Sequence, residues 1–172
     1  WIIRGKSRGK LHPRSSSSFF SARDLILLYS FSVCLFLALY LCMSTHMLAD
    51  PAAILPEKLF LGSKLAAENL DTLRASGITH VLNTAKEIPN YFEDTGEFKY
   101  LHLGLNDDAE DDLRAEFPRC NQFIQEGLDG GGKVFVHCQA GISRSSSCVI
   151  AYLMATEGMP LRDAFLHTKQ QR

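Results

Sequence analysis

Residues 134–147 read VFVHCQAGISRSSS, and the order of these parts decides how the rest of the chain is read. VFVH is a short apolar run of the kind found in a strand at the centre of a sheet, buried on both faces. Cys138 follows at the end of that run, five residues separate it from Arg144, and an apolar helical stretch, SSCVIAYLMATEG, comes next. A strand that passes through a short loop into a helix turns backbone N–H groups and the positive end of the helix toward one point, where an anion can sit. Gly141 gives the loop a residue that tolerates close approach and unusual dihedrals. Arg144 offers a planar fork that fits two oxygens of a phosphate. Its charge, together with the inward amides, is expected to lower the pKa of Cys138 and so to produce a thiolate able to attack phosphorus. His137 sits beside the cysteine in sequence, but alternation along a strand points it to the opposite face, so it is read as an orienting or charge-tuning residue and not as a base.

Outward from this stretch, residues 51–172 have the pattern of an α/β domain. PEKLFLGS predicts a short strand ending at Gly62, and SKLAAENLDTLRASG predicts one amphipathic helix, with Leu65, Leu70 and Leu73 near helical spacing and Gly77 as its stop. THVLNTA is the next expected strand, closed by Pro89 and Asn90. FKYLHLGL is the one after it. The polar NDDAEDD loop then runs into a helix expected from about Asp111 to Glu126, and Gly130, Gly131 and Gly132 make the turn before VFVH. A last amphipathic helix, PLRDAFLHTKQQR, starts at Pro160. The predicted fold is a central, mostly parallel sheet flanked by helices.

Charge is divided unevenly along the chain. Residues 1–24, the basic and Ser-rich leader, hold six of the 18 Lys and Arg and one of the 19 Asp and Glu, Asp24. The domain is therefore acidic, which argues against nucleic acid as a partner. Such a leader is expected to be disordered. Residues 25–43, LILLYSFSVCLFLALYLCM, carry no charge and just reach the length needed to cross a bilayer. Three readings of them stand open: a membrane anchor, a signal or transit function, or a gene-model artefact with translation starting at Met43 or Met47. An anchor obeying the positive-inside tendency would carry residues 50–172 across the membrane. The five cysteines, Cys34, Cys42, Cys120, Cys138 and Cys148, have no CxxC pair and form no metal-like set with the histidines, so no disulfide framework is expected. A reducing compartment suits them better.

HCQAGISRS resembles the His-Cys-five-residues-Arg-Ser signature of protein tyrosine phosphatases, and its surroundings resemble the dual-specificity branch related to MAP kinase phosphatases. The resemblance extends through LFLGSKLAAENLDTLRASGITHVLNTAKEIPN, YLHLGLNDDAEDDLRAEFPRCNQFI and the DAF of the last helix. It implies a protein tyrosine phosphatase-like fold and hydrolysis of phosphotyrosine and phosphoserine or phosphothreonine through a cysteinyl-phosphate. In that scheme Cys138 is the nucleophile. Gln139, Ala140, Gly141, Ile142 and Ser143 bind the phosphate together with Arg144, and Ser145 aids breakdown of the intermediate. The family's tyrosine-to-aspartate spacing, counted from Tyr100, gives Asp107 as general acid, with Asp108 the rival one residue on. Asp112 is implied to support loop or helix structure, and Asn83 to tie the loop framework together. Neither a cofactor nor a metal is needed. The implied partner is a phosphoprotein, with MAP kinases as candidates, and the implied location is the cytoplasm or nucleus, or a membrane surface if residues 25–43 anchor the chain. The oligomeric state is left open.

Blander readings suit the remaining residues. His80 and His102 are expected to be partly buried strand positions, His167 a surface helix residue and Cys148 a small core group. Cys120 is weighed as a disulfide partner of Cys138 under oxidation. Family members continue past the helix of DAFLHTKQQR with a proline, an Asn-containing turn and a further helix, so a chain stopping at Arg172 is expected to be less stable or to depend on a partner. Two rivals share the phosphate-binding chemistry: a phosphatase of phosphoinositides or RNA 5′-phosphates, and a phosphoprotein-binding module without turnover. The uncharged residues between Cys138 and Arg144 favour a protein substrate over the first. Sulfur transfer by a rhodanese-like loop fits poorly with Arg144, Ser145 and Asp107 together.

Overall fold

The computed structural model describes residues 50–108 and 111–172. The leader and the charge-free segment 25–43 lie outside the described residues. One sheet carries five strands: β1 (Ala52–Leu55), β2 (Leu59–Gly62), β3 (His80–Ala85), β4 (Lys99–Leu105) and β5 (Val134–His137), in the spatial order β1-β2-β5-β3-β4. β5 lies in the middle, parallel to both β2 and β3, and β4 is parallel to β3. The sheet is mostly parallel, as expected, with an antiparallel edge formed by β1 on β2. Alternation sorts the side chains. Leu59, Leu61, Leu82, Val134 and Val136 enter one apolar cluster, while Phe60, Val81 and Phe135 enter another. A strand buried on both faces must be apolar at consecutive positions, which is why VFV carries no polar alternation.

The first cluster is covered by α3 (Leu113–Asp129), α4 (Arg144–Thr156) and α5 (Leu161–Gln171), through Phe123, Ile124, Val149, Tyr152, Leu153 and Ala164. The second is covered by α1 (Lys64–Ala67) and α2 (Leu70–Ala75), through Ala66, Ala67 and Leu73. Two helices stand where the sequence predicts one. Asn69 breaks the run, because its side chain accepts from Thr72 N at 3.1 Å as the cap of α2, leaving the Ser63-capped turn as a separate piece. Leu65 is exposed, and the alanines beside it take the core positions. The edge strand β1 was not expected: AAIL is too short and too weakly alternating to stand out, and its pairing comes from a tight turn in which Lys58 N donates to Leu55 O at 3.0 Å. The helix expected over 111–126 starts and ends later, at Leu113 and Asp129, since Asp112 caps it by accepting from Arg114 N at 3.0 Å and Ala115 N at 3.3 Å.

Candidate active site

The loop from Cys138 to Ser143 joins the central strand β5 to α4, so its foot rests on the best-packed part of the sheet. Cys138 is 2% exposed and packs beside Ala85, Ile88 and Tyr91. Its Sγ accepts from Gly141 N at 3.1 Å and from Ser145 Oγ at 3.2 Å. Burial alone pushes the thiol up. The Ser145 hydroxyl, with the amides of Ser145, Gly141 and Ala140, outweighs burial and holds Cys138 below the ordinary thiol range. The sequence reading assigned part of that lowering to Arg144. In the structure the largest favourable contributions come from the hydroxyl and the amides, and Arg144 and Cys138 also feel each other's charge.

Gly141 is the one loop residue that could be nothing else. Its φ of +68° lies in the left-handed region, and a Cβ there would run into the carbonyl of Gly62 and the Arg172 guanidinium. Outside the loop, hydroxyls turn its carbonyls away from the centre: Ser146 Oγ donates to Ile142 O, and Ser147 Oγ donates to Ser143 O at 2.9 Å. Lys64 N donates to Gln139 O at 3.2 Å, and Arg172 donates to Ala140 O. With these carbonyls tied outward, the amides of Ala140, Gly141 and Ser145 are turned toward the sulfur. Gln139, Ala140, Ile142 and Ser143 are exposed around the rim.

Arg144 opens α4 and is 3% exposed. Its Nη1 donates to Glu87 Oε2 at 2.9 Å and to Leu105 O at 2.7 Å, and its Nη2 donates to Glu87 Oε1 at 2.7 Å. Nε is buried without a hydrogen-bond partner, 3.7 Å from Asp107 Oδ2. Glu87 is the residue that sequence reading missed. It lies 57 positions from Arg144, in the KEIPN turn after β3, where a charged residue looks like ordinary surface. The hydrogen bond from Arg144 lowers its carboxyl to about 2.

Asp107, on the loop after β4, accepts from Ser143 Oγ at 2.9 Å and so is drawn onto the Cys138–Arg144 loop. Its neighbour Asp108 is turned into its own loop, accepting from Asp111 N at 3.1 Å. The structure thus brings Cys138, Arg144, Ser143, Ser145 and Asp107 together and leaves Asp108 aside. Asn83 is fully buried below the loop. Its amide donates to Ile88 O at 2.7 Å and to Asn90 Oδ1 at 3.1 Å, and its carbonyl accepts from Ala85 N at 3.1 Å. His137 is buried on the α1–α2 face of the sheet, stacked on Phe135 at 5.5 Å, with Nδ1 unpartnered, and burial lowers its pKa to about 4.

Two expectations, both for histidines, are corrected, and the surroundings of Cys120 are settled. His102 is exposed, not partly buried, with Nε2 2.9 Å from Ala85 O. His167 is half-buried, with Nε2 2.8 Å from Ile54 O, because α5 packs on the β1 edge. The sulfur of Cys120 meets that of Cys148 at 3.6 Å inside the α3–α4 contact, so its neighbour there is Cys148 and not the loop cysteine. Among the described residues no group of three His, Cys, Asp or Glu could hold a metal ion.

Comparison with known proteins agrees with this geometry. Residues 59–172 match the family described as "Dual specificity phosphatase, catalytic domain". The chain is 43% identical over 122 residues to human dual specificity protein phosphatase 1, covering 71% of this chain and 32% of that protein. It is 38% identical over 122 residues to Drosophila melanogaster dual specificity protein phosphatase Mpk3, covering 71% and 30%. The chain thus spans about a third of the length of these curated relatives. The crystal structure of human tyrosine phosphatase-like serine/threonine/tyrosine-interacting protein superposes with a TM-score of 0.64 at 40% identity, over 71% of this chain and 83% of that one. Human DUSP28 gives a TM-score of 0.66 at 30% identity, over 71% and 80%. A fold, a loop and a family match thus coincide on the same residues, and the chain belongs to the dual-specificity phosphatase catalytic-domain family.

Proposed function

We propose that residues 51–172 hydrolyse phosphotyrosine and phosphoserine or phosphothreonine in proteins through a cysteinyl-phosphate on Cys138. The observation that carries this reading is the thiol itself: a buried cysteine whose sulfur accepts hydrogen bonds from Gly141 N and Ser145 Oγ is prepared to exist as a thiolate. The thiolate attacks phosphorus, and the P–O bond to the substrate side chain breaks. Asp107 protonates the leaving oxygen. Asp107 then takes a proton from water, which attacks the cysteinyl-phosphate, releases inorganic phosphate and restores the thiolate. Arg144 and the amides of Gln139, Ala140, Gly141, Ile142 and Ser143 hold the equatorial oxygens, where charge is spread in the transition state. Ser145 donates to the sulfur as it leaves phosphorus. Asn83 and His137 support the loop from below.

The rim favours a protein phosphoester over a lipid or RNA 5′-phosphate, since none of the residues between Cys138 and Arg144 is basic. A MAP kinase is proposed among the substrates on the resemblance alone, and a cytoplasmic or nuclear location follows from the need to keep Cys138 reduced. No helix among the described residues is long and apolar enough to cross a membrane.

The test is hydrolysis by the full chain of peptides matched in sequence and carrying phosphotyrosine, phosphothreonine or phosphoserine. Turnover of phosphotyrosine and phosphothreonine, abolished by Cys138→Ser, is expected. A folded wild-type chain that binds these peptides without turnover would move the reading to a phosphoprotein-binding module.

A further inference from the structure

We propose that Glu87 is a positioning residue for phosphoryl transfer, holding Arg144 end-on so that its Nε/Nη2 side edge faces the phosphate. The argument is one of donor arithmetic. A guanidinium carries five N–H donors in a rigid plane. Glu87 takes two of them, one from each Nη, in the parallel geometry of a bidentate pair, and Leu105 O takes the second hydrogen of Nη1. The two that remain are Nε–H and the second hydrogen of Nη2. These share the side edge of the plane, and together they form a fork for two oxygens of one phosphoryl group. Nε is buried and has no hydrogen-bond partner, the state of a donor awaiting an acceptor.

Without the carboxylate, Leu105 O is the one hydrogen-bond acceptor left among the described residues to fix that plane. The nearest anion to Nε is Asp107 Oδ2, at 3.7 Å. An arginine released from Glu87 would turn toward Asp107 and draw it into an ion pair, so that clamp and acid would be lost to each other. Glu87 itself is half-exposed at the side chain and fills no part of the core, whereas Arg144 is buried and would keep its charge there with fewer acceptors if the carboxylate were lost. Its place in the molecule is explained better by what it does to Arg144 than by what it adds to the fold.

This inference rests on the reading of the site as one that binds a phosphoryl group, and its test is read first by inorganic phosphate, which needs no turnover. Phosphate affinity and kcat toward an aryl phosphate would be measured for the wild-type chain, Glu87→Gln, Arg144→Lys and the double variant, with urea midpoints alongside. Glu87→Gln is expected to weaken phosphate binding at least about threefold and to lower kcat about tenfold, the scale of one misplaced charge-assisted contact. In the Arg144→Lys background the same change is expected to alter either quantity less than about twofold, because lysine has no fork to orient. Equal losses in both backgrounds, or wild-type phosphate affinity in Glu87→Gln, would overturn the proposal. A wild-type chain that binds phosphate but turns nothing over removes the phosphatase reading and leaves the phosphate arm of this test standing.

Discussion

Cys138 sits where burial by itself would favour the neutral thiol, and its depressed pKa depends on a few short donors. Ser145→Ala removes the one side-chain donor to the sulfur, so the thiol should titrate higher. The thiolate absorbance midpoint, or the pH dependence of alkylation by iodoacetamide, measures this, and an unchanged midpoint would show that the amides suffice alone. Asp107 invites a different test, since a general acid matters in proportion to how poor the leaving group is. Asp107→Asn should lower kcat about 100-fold on a phosphoserine peptide and far less on an aryl phosphate whose phenolate leaves unaided. Similar losses on both substrates would count against the assignment. That Cys138, Arg144 and Ser145 lie together could be read from the sequence because they fall within one strand-loop-helix stretch, and the approach of Asp107 to them because a family spacing pointed to it. Glu87 could not, since its meaning lies in a contact across 57 residues that no local pattern announces.

The elements were legible to differing degrees for physical reasons. β5 was plain because a strand buried on both faces must be apolar at consecutive positions, as Val134, Phe135 and Val136 are. β1 was invisible because its four residues gain their structure from pairing with β2 and from the α5 side chains on that edge. The α1–α2 break was hidden by leucines at helical spacing, whereas the decisive residue was Asn69, whose amide competes with the helix for backbone N–H groups. Asn69→Ala should therefore cost about 1 kcal/mol of unfolding free energy, measurable in urea, and a stabilised variant would show that the helix prefers to run through. β5 also holds a titratable group. His137 has a folded pKa of about 4 against an ordinary value near 6.5, so the unfolded chain binds more protons between these values. Stability contributed by neutral His137 is present above pH 6.5 and is lost as pH falls toward 4, up to about 3 kcal/mol. His137→Gln should flatten the slope of unfolding free energy over that window, and a slope unchanged by the variant would assign it to other groups.

Across the described residues, apolar side chains are divided between a closed interior and a set left exposed on several surfaces. Leu161, Phe165 and Leu166 on α5, Met154 on α4 and Ile142 on the active-site rim are all exposed, and a groove of about 410 Å³ runs from Gly141 and Ile142 past Ile150 to Phe165. Phe165→Ser in this groove should cost less than about 1 kcal/mol, whereas Leu153→Ala in the interior should cost about 2–5 kcal/mol. A comparison of the two midpoints checks this, and a large loss from Phe165→Ser would mean that the groove is covered in solution. The position of β5 has a further consequence for how the site fails. Amides of a strand hydrogen-bonded on both sides at the centre of a sheet exchange with solvent through global opening, whereas loops open locally at little cost. Cys138, the proposed nucleophile, directly follows the strand expected to exchange slowest, and Asp107 stands on a loop expected to open earlier. Under mild denaturant the ability to protonate a poor leaving group should fade first, while the thiolate keeps its reactivity until the last cooperative unit opens.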